Sequence, residues 1–207
     1  MKNKKMQEMD IVFLLDRSGS MGGMENDTIG GYNSYLNEQK NKNVKVTTIL
    51  FDNQYEVLHQ REDIKNVPKL TKKEYFVRGC TALLDAIGKT INIMDHEKAE
   101  KVIFIITTDG LENASIEFNK DQIKKMIQKH SNWEFMYIGA DIDSYHEGET
   151  IGIKKSNIAN YSKSKKGVET LFSSLSRASE SFYDKACISS DWKDGLENYI
   201  DNNMNNC

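Results

Sequence analysis

Residues 10–20 read Asp10-Ile11-Val12-Phe13-Leu14-Leu15-Asp16-Arg17-Ser18-Gly19-Ser20. An unbroken run of branched and aromatic side chains closed by an aspartate suits a strand buried on both faces of a parallel sheet. A tight loop follows. Gly19 lets it bend, and Asp16, Ser18 and Ser20 stand at alternate positions, able to turn inward together. Runs of the same kind recur at 44–51, 101–109 and 133–140. Residues 55–61 read as an exposed strand, paired antiparallel to 44–51 through the Asp52-Asn53 turn, and a last strand is expected over 156–161.

Between these runs lie helical spacings. Apolar and aromatic residues fall at 29, 32, 35 and 36; at 83, 84, 87, 91 and 94; at 123, 126 and 127; and at 168, 171, 172, 175, 178, 182 and 186. They predict helices over 26–39, 81–94, 122–130 and 168–186. Strand and helix alternate, so the fold class is α/β: a doubly wound, mostly parallel sheet with right-handed crossovers, helices on both faces and one antiparallel edge strand. With a single proline, Pro68, and no low-complexity linker, one domain is expected over 9–186. Residues 187–207 form a polar C-terminal tail, either a short docked helix or a frayed end.

Composition narrows the function. Among 207 residues, 38% hydrophobic and 9% aromatic content argues against disorder. Lys and Arg total 28 against 31 Asp and Glu, a net charge of −3, which favours neither a nucleic acid nor an anionic membrane as partner. The apolar runs are too short to span a bilayer, and no signal-like stretch precedes Asp10. Cys80, Cys187 and Cys207 are odd in number and lack metal-like spacing. A cytoplasmic protein with free thiols is expected.

In a doubly wound sheet, ligands bind beyond the carboxyl ends of the strands, where the strand order reverses. If the strands ending in Asp16 and Thr108 are neighbours there, Asp16 and Asp109 converge. Thr81, in Gly79-Cys80-Thr81, adds a hydroxyl at the start of a helix. Hydroxyl and carboxylate oxygens without Cys or His suit a hard cation: Mg²⁺, Mn²⁺ or Ca²⁺. Each residue alone has an ordinary reading as a turn or helix cap. Together they favour a metal centre.

These residues resemble the von Willebrand factor A-type (VWA) domains, whose signature is D-x-S-x-S, then a Thr, then an Asp, forming a metal-ion-dependent adhesion site. Asp16, Ser18, Ser20, Thr81 and Asp109 match it in order, and the resemblance runs from about Met9 to Ala186. It implies that the serines and sometimes the threonine bind the metal directly, that the aspartates act largely through water, and that a partner's acidic side chain completes the shell. The runs Asp27-Thr28-Ile29-Gly30-Gly31-Tyr32-Asn33 and Thr108-Asp109-Gly110-Leu111-Glu112-Asn113 are similar to stand-alone bacterial VWA proteins. Related bacterial VWA proteins serve as adaptors for large assemblies such as AAA+ ATPases, which implies a protein partner of that kind.

Other motifs fare worse. Gly88-Lys89-Thr90 resembles the end of a phosphate-binding loop, but Leu83 stands where that loop needs glycine. Asp141, Asp143, His146, Glu147 and Glu149 form an acidic cluster, better read as a solvated loop than as a second metal site. A metal-dependent, non-enzymatic binding module is therefore expected. The alternative is a Mg²⁺-dependent hydrolase of phosphate or nucleotide, for which no general base or arginine clamp is evident; Arg17 should point away from the Ser/Asp side.

Overall fold

The apolar run closed by Asp16 forms β1 (Met9–Asp16), every residue of which is buried. A computed structural model describes residues 8–140 and 142–197. The other strands are β2 (Val44–Phe51), β3 (Tyr55–Asp63), β4 (Val102–Thr108), β5 (Glu134–Ala140) and β6 (Ile158–Tyr161). They make one sheet in the order β3-β2-β1-β4-β5-β6, parallel except for the β2–β3 pair. β3 occupies an edge, as its half-exposed pattern predicts.

Alternation along β1 divides the core. Ile11, Phe13 and Leu15 pack on α1 (Glu25–Gln39) and α5 (Lys165–Lys185), whereas Val12 and Leu14 pack on α2 (Leu83–His96) and α3 (Lys120–Lys129). Helices thus cover both faces, because a central strand apolar on both sides must be buried on both. α1 and α5 approach closely at Gly31, where a methyl group would overlap the ring of Phe172. The predicted α/β architecture, the antiparallel edge strand and the reversal of strand order between β1 and β4 are all present.

Some details differ from the expectation. The segment after β5 contains a short helix, α4 (Ser144–Thr150), where a loop was expected. Asp143 caps it by accepting from the His146 N–H, and Glu147 pairs with Lys120 at 2.8 Å. The helix of residues 81–94 begins two residues later, with Ala82 rather than Thr81 at its N-cap. Beyond α5, Trp192 and Leu196 are buried against the α1–α5 core, and the Trp192 indole N–H donates to the Ser156 carbonyl. Asp141 and residues 198–207, part of the predicted acidic cluster and tail, lie outside the described residues. Among the described residues no helix is long and apolar enough to cross a membrane.

Candidate metal centre

β1 and β4 lie side by side and in parallel, with Leu15 opposite Thr107, so Asp16 and Asp109 leave the sheet at the same edge. Backbone bonds fasten the loop after β1: Arg17 N–H donates to Phe51 O, and Gly19 N–H to Gly79 O. Arg78 N–H donates to Arg17 O, joining the segment before Thr81 to this loop. Gly79 has a φ of +66°, a left-handed conformation that suits glycine, and a methyl group there would collide with the Asn53 side chain.

The predicted residues meet. Ser18 Oγ and Ser20 Oγ are 3.0 Å apart, and the Ser20 hydroxyl donates to Asp109 Oδ1 at 2.5 Å. A methyl group placed on Gly110 would lie 2.7 Å from Thr81 Oγ1, 3.1 Å from Ser20 Oγ and 3.7 Å from Ser18 Oγ. Three hydroxyls, two from the loop after β1 and one from the segment before α2, therefore surround one point beside Asp109. None of the three hydroxyls caps a helix. Ser18 precedes a single 3-10 turn without a side-chain cap bond, and α2 begins at Leu83 with Ala82 at its N-cap.

Asp16 stands behind this cluster, fully buried. Its Oδ1 accepts from the Ser18 N–H at 2.7 Å and its Oδ2 from the Thr108 hydroxyl at 2.6 Å. Burial pushes its carboxyl up to about 6; the two hydrogen bonds oppose that shift, and the charge of Asp109 adds to it.

Several contributors were not singled out from sequence. Thr108 orients Asp16. Asn113 fixes Thr81, its Oδ1 accepting the Thr81 N–H at 2.9 Å while its own N–H returns to Thr81 O. Glu112 accepts from Leu84, Ala114 and Ser115 N–H groups, and Asp85 from those of Ile116, Glu117 and Phe118, tying the loop after β4 to the start of α2. The run from Thr108 to Asn113 carries part of the resemblance, but nothing in it indicates which helix end it serves.

The donor set fits a hard divalent cation, being all oxygen with two carboxylates for its charge. Among the described residues no three His, Cys, Asp or Glu side chains gather as a metal site, the segment holding Asp143, His146, Glu147 and Glu149 included. Three of the five residues predicted from sequence offer hydroxyls rather than carboxylates. Arg17 turns away, as expected: its guanidinium is buried against Asp52 at 2.8 Å and Glu56 at 2.7 Å.

Proximal thread matrix protein 1 from the mussel byssus is similar over 82% of this chain and 45% of its own, at 14% identity and a TM-score of 0.61. The vWF domain of a type V pili tip protein from Porphyromonas gingivalis is similar over 81% and 95%, at 11% identity and a TM-score of 0.60. The chain has the VWA fold. The pilus adhesin SpaC from Lactobacillus rhamnosus GG shares that fold over 84% of this chain and 30% of its own, at 15% identity and a TM-score of 0.66. A further structure of the mussel protein has a zinc-occupied adhesion-site motif and aligns at a TM-score of 0.60 and 15% identity. This chain spans slightly less than half the length of the mussel protein. No protein-family model and no curated protein sequence matches it.

Proposed function

We propose that this chain is a metal-dependent protein-binding module of the stand-alone bacterial type. Asp16, Ser18, Ser20, Thr81 and Asp109 form a complete adhesion site for Mg²⁺ or Mn²⁺, with Ca²⁺ compatible with the same donors. The bound ion would supply an electrophilic position for a partner's carboxylate. The chain's own residues provide the rest. Asp16 and Asp109 offset the charge, Ser18, Ser20 and Thr81 supply neutral oxygens, and Asn113 and Thr108 hold two of these groups in place.

The observation that carries this reading is the convergence of the three hydroxyls beside Asp109. VWA-fold neighbours named as pilus and byssus proteins support adhesion over catalysis. The partner class belongs to the proposal too: an acidic protein surface, such as that of an AAA+ assembly. So does a cytoplasmic setting, which suits the free, exposed Cys80 and Cys187.

Arrays of peptides centred on Asp or Glu, probed with Mn²⁺ and then with EDTA, test the binding role. Capture that needs Mn²⁺ and is lost in Ser20→Ala supports it. Mn²⁺-independent capture, or turnover of p-nitrophenyl phosphate that Ser20→Ala abolishes, contradicts it.

A further inference from the structure

Lys163 belongs to none of the motifs above. It lies between β6 and α5, one residue before Ser164, the N-cap of α5. Its side chain nevertheless crosses to the candidate centre. Nζ is 2.7 Å from Asp109 Oδ2 and donates to the main-chain carbonyl of Ser20. The Asp109 side chain is 1% exposed and that of Lys163 28%, so the ion pair reaches inward from the rim of the site.

The two oxygens of Asp109 are thus divided. Oδ1 receives the Ser20 hydroxyl and Oδ2 faces the ammonium. The other cations of this sheet edge are committed elsewhere. Arg17 pairs with Asp52 and Glu56, and Arg78 pairs with Asp52. Among the described residues, Lys163 is the cation that pairs with Asp109.

An ammonium and a divalent ion cannot both approach one carboxylate without mutual repulsion, and that repulsion is strong where burial lowers the local dielectric. We infer that Lys163 is an intramolecular competitor for the metal: uptake of the ion drives its ammonium off Asp109 and out to solvent. This rests on the metal centre proposed above. Lys163 then tunes affinity. It holds the site closed to weakly bound cations.

Two measurements on the whole chain test this. In calorimetric titrations with Mn²⁺, Lys163→Gln should bind about 3- to 10-fold more tightly than wild type, while Lys163→Arg, which keeps the charge, should stay near wild type. In wild type alone, reductive methylation read by peptide mass spectrometry should label Lys163 faster with Mn²⁺ than with EDTA. Equal affinity for wild type and Lys163→Gln, or labelling that Mn²⁺ leaves unchanged, overturns the role of Lys163 and leaves the centre standing. Failure of both wild type and Lys163→Gln to take up Mn²⁺ overturns the centre itself.

Discussion

β1 buries an aspartate near each end, and the two ends answer the charge differently. Near its start, Asp10 meets the Arg61 guanidinium at 2.7 and 3.1 Å. At its close, Asp16 meets a backbone N–H and a threonine hydroxyl, with a second carboxylate, Asp109, adding to its shift. Burial raises both carboxyls, but at Asp10 the Arg61 hydrogen bond and charge oppose it. The residue beside Asp16 is an arginine, yet its guanidinium serves Asp52 and Glu56. The chain thus neutralises the acid that only holds the fold and leaves the acid at the strand-order reversal to neutral donors. That is where a cation is worth most.

Removing the uncompensated charge should have the larger effect. In Asp16→Asn the amide oxygen can still accept from Ser18 N–H, and the Thr108 hydroxyl can accept from the new amide. In metal-free buffer this variant should be more stable than wild type by about 2–3 kcal/mol at pH 7. The pH dependence follows. Below the ordinary carboxylate value of 3.8, Asp16 is protonated whether the chain is folded or unfolded. As pH rises towards about 6 the unfolded chain loses the proton first, so metal-free stability falls across that window. Urea denaturation from pH 3.5 to 7 should show the decline in wild type and a flatter profile in Asp16→Asn. Parallel profiles would mean that Asp16 is not the strained acid.

The paired end should respond in the opposite sense and less. Arg61→Gln leaves Asp10 buried without its cation and should destabilise by about 1–2 kcal/mol, moderated by the partial exposure of Arg61. Arg61 also sits at a φ of +46°, beside an irregular β2–β3 ladder, so its pairing holds a backbone that a side chain seldom adopts. A denaturation midpoint within error of wild type would remove the contrast between the two ends.

Most of this was legible in the sequence, for physical reasons. Runs such as Asp10–Asp16 and Val102–Thr108 are apolar on both faces, which few elements other than a central parallel strand require. Asp16, which closes the first run, and Asp109, which follows the second, then fall at one edge as soon as β1 and β4 are neighbours. Short-range polar chemistry was harder to read. α4 carries no apolar stripe and depends on the Asp143 cap and on the burial of Ser144 and Gly148. Taken alone, Thr81 also reads as a helix cap; the clamp that organises the start of α2 comes instead from Glu112 and Ser115, on another loop. Lys163 gave no signal at all. It stands in a run of serines and lysines, and only the tertiary fold carries it to Asp109.

A cation site at the carboxyl end of β1, completed by Asp109, stands or falls on metal uptake, which isothermal titration of Mn²⁺ into wild type and into Asp16→Asn measures. One ion should bind per wild-type chain, and Asp16→Asn should lose at least about tenfold in affinity, since removing one of two compensating charges forfeits more than 1 kcal/mol. Equal uptake by both proteins would mean that Asp16 holds no cation.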